Sequence, residues 1–395
     1  MDTFTLRGQD EALGILRAGL TSGRLGHAYL FHGPAGVGKT RAALEFARSL
    51  LCESPNPGRA ACGACASCRD SLRLRHPDLE LVVPLPTFRS EGRTDRQAEE
   101  ARAEARARVL DRTARESYFT PVFAKPAILS VEDLARGKQF LSLTARRDGG
   151  AKVLIVKRAE AMSPPAAHAF LKILEEPQPG RVLILGARQP RSLLPTIVSR
   201  CLPVRFRPLP AAFVAEALSD AHGVSRTVAR LVAGTAQGSL GAALERFESP
   251  IDGAGKDVTD EADVARLRAA ALDLFVRPKS MAVLAPLRRG RLDRDRTRFL
   301  SVVAMALHYY RDVIRVALLG DSAALAHEDL KREVAADARV IPLRTVAHRV
   351  RLLEEIASAV QSNVTIPYAV ASAQHRMGLS LDGGSRSEAP AARGF

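Results

Sequence analysis

Four short apolar runs, 28–32, 79–83, 152–156 and 181–185, punctuate the first half of the chain, and stretches with apolar residues at three- and four-residue spacing cover 9–20, 40–51, 131–143 and 163–174. This alternation constrains the fold more than any other feature. Uninterrupted apolar runs read as strands buried on both faces, which occur in parallel sheets whose crossovers are helices. The expected fold of residues 1–207 is therefore α/β, a doubly wound parallel sheet.

The remainder is helical in pattern. With 395 residues, and one domain per ~100–200 residues, two or three domains are expected. A Pro-bearing stretch, 206–210, ends the sheet domain. A small helical domain is expected over 208–249, a polar linker over 250–261, a larger all-α domain over 262–377 and a disordered tail over 382–395. Inside the sheet domain, an insertion at about 87–127 is dominated by charge. Its segment 93–116 pairs Glu104 with Arg108 and Asp111 with Arg115 at i,i+4, which reads as a solvated helix or a disordered insert. Two apolar stripes, one from Phe299, Leu300, Val303, Met305, Leu307 and Ile314 and one from Leu352, Leu353, Ile356, Val360 and Val364, fit either a core or a subunit interface.

The first of these stripes is no membrane span, because His308, Arg311, Asp312 and Arg315 interrupt it. Residues 1–10 carry two Asp and no apolar core, so no secretory signal is expected and the chain is placed in the cytoplasm. A composition of 46% apolar, 26% charged and 5% aromatic residues excludes disordered, collagenous and coiled-coil classes. The net charge of +15 attracts polyanions such as nucleic acid or acidic proteins.

Gly33-Pro34-Ala35-Gly36-Val37-Gly38-Lys39-Thr40 follows the first strand and opens a helix, the setting a G-x-x-x-x-G-K-[ST] phosphate loop requires. The glycines let backbone N–H groups wrap a β-phosphate, Lys39 would neutralise the β/γ oxygens and Thr40 would hold magnesium. Hydrolysis also needs an acidic residue at the end of a later strand. Here Val153-Leu154-Ile155-Val156 runs into Lys157-Arg158, two cations that cannot ligate a metal and that oppose one nearby. The pattern predicts ATP bound without turnover, or no nucleotide. Glu160 could substitute only if the register shifted, since three extra residues should carry it well away from the strand end.

Of the five cysteines, Cys52, Cys62, Cys65 and Cys68 crowd together, the last three spaced C-x2-C-x2-C. Four thiolates close a tetrahedral zinc site with no open position, so the site should be structural; an iron–sulfur cluster is the chemical competitor. Cys201 stands apart and is expected to carry no metal.

His27-Ala28-Tyr29-Leu30-Phe31, Leu171-Lys172-Ile173-Leu174-Glu175-Glu176-Pro177 and Ser199-Arg200-Cys201 resemble the signature of bacterial clamp-loader subunits of DNA polymerase III, in the AAA+ class. The resemblance covers about 9–244 by motif, and it implies that 208–249 is the lid, that 262–377 is the oligomerisation collar, and that a zinc module occupies 52–68. Within that family some subunits hydrolyse ATP and others, of the δ′ type, do not. Three departures point to the second kind: Lys157-Arg158 in place of an Asp-Glu pair, Ala187-Arg188 in place of a polar sensor, and Gly241 in place of a lid arginine.

The resemblance further implies that Arg200 is an arginine finger acting on the ATP of a neighbouring subunit. It implies partners too: motor subunits and a δ subunit in a hetero-pentamer, the sliding clamp, and primed DNA held through its phosphates irrespective of sequence. On this reading the chain alone is no ATPase. The competing readings are an ATP-hydrolysing motor subunit of the same complex and a free-standing basic nucleic-acid-binding zinc protein.

Overall fold

The computed structural model describes residues 6–88, 94–116, 118–119, 121, 123, 126–147, 149–222, 226–245, 261–277, 287, 292–293, 295–320, 323, 325–361 and 364–377. The expected linker at 250–260 and tail at 382–395 lie outside these residues, as does 89–93 of the insertion. The chain forms two compact units, Met1–Ala217 with Ala236–Lys256, and Leu218–Thr235 with Asp257–Phe395.

The first unit is built on a parallel five-stranded sheet in the order β2-β5-β6-β1-β7. Its strands are β1 (Ala28–His32), β2 (Leu79–Val82), β5 (Lys152–Val156), β6 (Arg181–Ala187) and β7 (Leu202–Arg205). Alternate side chains of a strand point to opposite faces, and the core divides accordingly. Tyr29 and Phe31 of β1, with Val153 and Ile155 of β5, pack against α1 (Asp10–Ser22) and α2 (Lys39–Leu51). Ala28, Leu30, Leu154 and Val156 face the other way, onto α5 (Val131–Ser142) and α6 (Pro164–Glu175). A Cβ on Gly137 of α5 would sit 3.2 Å from the Leu154 side chain, so this helix lies close against the sheet. Under the sheet, Lys152 Nζ and Asp78 Oδ1 form a fully buried ion pair at 3.0 Å, with the ammonium over the Phe140 ring.

Three strands have no counterpart in the sequence pattern. β7 is an edge strand, and β3 (Leu85–Pro86) pairs antiparallel with β4 (Ala127–Ile128) at the base of the insertion. The insertion itself carries α4 (Asp95–Arg115), opened by a capping box between Thr94 and Gln97. α4 is not simply solvated. Ala98, Ala105 and Val109 are buried, the last two in the core beneath α2, and Arg102 and Arg106 pair with Asp133 and Glu80. The short Cys module holds α3 (Ala66–Leu72).

The second unit is helical among its described residues. Phe299, Val303 and Met305 of the helix Arg296–Leu319 are buried within it, as are Leu352, Leu353, Ile356 and Val360 of the helix Leu343–Gln361, while Leu300, Leu307, Ile314 and Val364 are half-buried, so these stripes are core in part. Asp312 is buried and accepts from the backbone N–H groups of Ala326 and His327. No helix among the described residues is long and apolar enough to cross a membrane.

Candidate phosphate-loop and cysteine sites

β1 ends at His32, and the chain turns through the glycine loop into α2. A Cβ on Gly33 would lie 2.1 Å from the Phe206 carbonyl oxygen, so only glycine fits there. Gly38, at φ +102°, caps α2 in a conformation that side-chain-bearing residues rarely adopt. The loop therefore has the backbone its motif demands, with Lys39 and Thr40 at the helix start. Lys39 Nζ donates to the carbonyls of Gly33, at 2.6 Å, and Pro34. Burial pulls the Lys39 ammonium down to about 8, against the opposing attraction of Glu160 and together with repulsion from Arg188.

The end of β5 borders the same cavity. Lys157 is buried there and donates Nζ to the Phe119 carbonyl, and Arg158 follows with φ +54°. That left-handed residue reverses the chain into a short 3-10 turn, Ala159–Ala161. The turn corrects one expectation. Glu160 is not carried away from the strand end; it walls the cavity with Lys39, Thr40, Lys157, Arg158 and Arg188. Both its carboxylate oxygens are buried without a hydrogen bond, and Arg188 Nε stands 3.8 Å from one of them. Residue count predicts position only for extended chain, and here the backbone doubles back.

Tyr118 and Phe119, at the far end of α4, also wall this cavity, a placement no motif announces. The only hint in the sequence is an aromatic pair closing a charged run.

Arg200 lies elsewhere. It precedes β7, whose register sets Leu202 beside Tyr29 and Arg205 beside His32. β7 runs parallel to β1, so Arg200 is at the edge of the sheet where β1 begins, and the phosphate loop is at the edge where β1 ends. At ~3.3 Å per residue the strand alone separates them by roughly 10 Å. The guanidinium is partly exposed, 3.1 Å from Glu175 Oε1 and 3.0 Å from the Thr196 carbonyl. Neighbouring Cys201 is buried, which pushes its thiol up to about 11 and keeps it protonated.

The four expected metal ligands do converge. The sulfurs of Cys52, Cys62, Cys65 and Cys68 all lie within 4.8 Å of one another. The Cys52–Cys65 and Cys62–Cys68 pairs are each 3.9 Å apart. A tetrahedral ion with Zn–S bonds of ~2.3 Å needs sulfurs about 3.8 Å apart, so the cage fits one ion and is too tight for a multi-iron cluster. Backbone N–H groups of Cys62, Cys65 and Cys68 point at the sulfurs of Cys52, Cys62 and Cys65, an arrangement that favours thiolates. N–H groups of Cys65 and Ala64 draw the half-buried Cys62 thiol down to about 6. Burial pushes Cys52 and Cys68 up in the absence of an ion.

The family model described as "DNA polymerase III, delta subunit" matches residues 8–210. The chain is 26% identical over 359 residues to the DNA polymerase III subunit delta′ of Bacillus subtilis, covering 91% of this chain and 92% of that protein. It is 37% identical over 199 residues to the subunit delta′ of Pseudomonas aeruginosa, covering 49% of this chain and 48% of that protein. It is also 32% identical over 203 residues to the subunit gamma/tau of Mycobacterium tuberculosis, covering 51% of this chain and 28% of that protein. The match therefore runs nearly the full length of the Bacillus protein, about half of the Pseudomonas protein and less than a third of the mycobacterial one.

Proposed function

The chain belongs to the DNA polymerase III delta-subunit family, among clamp-loader subunits of the delta′ kind, and from that premise we propose that it assists ATP hydrolysis in a neighbouring subunit without hydrolysing ATP itself. The observation that carries this reading is the end of β5, where Lys157 and Arg158 stand in place of a magnesium-holding carboxylate. With Lys39 and Arg188 they put four cations around one carboxylate, Glu160. A divalent cation entering that ring meets net repulsion, and the carboxylate there, Glu160, is outnumbered by the cations around it.

Arg200 supplies the catalytic group in trans. Placed at the opposite edge of the sheet from its own phosphate loop, it can meet a triphosphate only across a subunit boundary. A planar, permanently charged guanidinium contacts two γ-phosphate oxygens and stabilises the charge that spreads over them during transfer. The partners on this reading are ATP-hydrolysing motor subunits and a δ subunit in a hetero-pentamer, with the sliding clamp and primed DNA as cargo. Contacts to DNA would be to phosphates, independent of sequence and weakened by salt. The four cysteines would hold a structural zinc ion, which pins the end of α2 to the start of α3.

Glu160 favours one other reading, a motor subunit, because a carboxylate with unbonded oxygens in a phosphate-loop cavity is where a magnesium ligand would be sought. The two readings part in ATP hydrolysis by the isolated chain, which only a motor subunit performs; the role of Arg200 is tested in the assembled complex. Arg200→Ala leaves assembly intact and lowers DNA-stimulated turnover in the one site it serves by a factor on the order of 10³. Unchanged turnover of the reconstituted complex would remove Arg200 from the mechanism.

A further inference from the structure

The phosphate loop of this chain is crowded from within. Phe119 is buried and belongs to the hydrophobic core that also holds Phe31 and Val109. Its carbonyl accepts from Lys157 Nζ, and its ring lies beneath the Arg112 guanidinium at 4.4 Å. Tyr118, one residue earlier, lies against the loop itself: a Cβ on Gly38 would be 3.1 Å from its ring. The cavity left between these aromatics and residues Gly36, Gly38, Lys39 and Thr40 is about 60 Å³. Small-molecule pockets run to ~300–1,000 Å³, so the space enclosed beside Tyr118 and Phe119 is smaller than a pocket that buries a whole nucleotide.

Two sequence departures that weaken catalysis serve this arrangement. Lys157 replaces an acidic residue and ties down the Phe119 carbonyl. Gly241 packs where a lid arginine is expected; a Cβ there would lie 2.6 Å from the Tyr118 carbonyl oxygen, and its N–H donates to Gly36 O at 2.9 Å. An arginine at 241 and the present position of Tyr118 are mutually exclusive.

We propose that Tyr118 and Phe119 form a plug carried by the insertion, latched over the phosphate loop by Lys157, and that nucleotide binds only by displacing it. The proposal rests on reading Gly33–Thr40 as a nucleotide site, and it adds that the site is self-occupied in the free chain. Nucleotide affinity is then the intrinsic affinity of the open loop multiplied by the fraction of chains with the plug withdrawn. A minor state populated at 10% or less weakens apparent binding about tenfold or more.

The test uses the full chain, with ADP and a non-hydrolysable ATP analogue titrated by calorimetry. Tyr118→Ala, at a part-exposed position, is expected to bind nucleotide about tenfold or more tightly than wild type. Because the chain has no Trp, Tyr118→Trp supplies a single fluorophore on the plug, and its emission is expected to shift to the red as nucleotide saturates. Equal or weaker binding by Tyr118→Ala, absence of binding by both forms at millimolar nucleotide, or unmoved Tyr118→Trp emission at saturation would each overturn the plug. Steady-state turnover is read separately. ATP hydrolysis by Tyr118→Ala would contradict the non-hydrolysing function while leaving the plug in place.

Discussion

Asp78 and Lys152 are the clearest case of a residue pair that the fold cannot lose halfway. Both are almost fully buried, Asp78 Oδ1 is 3.0 Å from the ammonium, and Asp78 Oδ2 accepts from the Arg146 backbone N–H. Removing one partner strands an unpaired charge beneath the sheet, at a cost of about 3–5 kcal/mol. Asp78→Ala should therefore lower the thermal midpoint of the sheet unit clearly, whereas Arg96→Ala, which breaks an exposed i,i+4 pair with Glu100, should leave it nearly unchanged. Equal melting of the two variants would show that the buried pair is not structural. At this scale the sequence was informative where chemistry is local. The glycine loop and the C-x2-C-x2-C cluster are legible because their ligands are near neighbours in the chain. Glu160 was not legible, because its position depends on the left-handed backbone of Arg158, which nothing about an arginine announces.

Among the elements, the cysteine module joins the C-terminus of α2 to the N-terminus of α3, with Cys52 and Cys65 as the two helix caps. An ion there closes the loop between them. The purified chain should contain one equivalent of zinc, and Cys62→Ser should reduce that content and expose 52–68 to proteolysis while the sheet stays folded. Full zinc retention in Cys62→Ser would rule out four-cysteine ligation. The strands buried on both faces were readable as apolar runs. β7 was not: Leu202-Pro203-Val204-Arg205 is short, contains a proline, and buries only Val204, the profile of an edge strand. β3 and β4 have only two residues each, too few to make a pattern. α4 was read as a solvated helix or disordered insert because its buried positions, Ala98, Ala105, Val109 and Thr113, carry little apolar signal between arginines and glutamates.

In the molecule as a whole, the phosphate loop and Arg200 stand at opposite edges of one sheet. The phosphate loop keeps its backbone form, but its surroundings are cationic and aromatic groups of the same chain wall its cavity. Arg200 sits at the other edge of the sheet, away from its own loop and paired with Glu175. The most direct test is steady-state ATP hydrolysis by the purified chain alone, with magnesium and with or without primed DNA. The account predicts turnover no greater than that of Lys39→Ala. Brisk magnesium-dependent hydrolysis, abolished by Lys39→Ala and by Glu160→Gln, would contradict it.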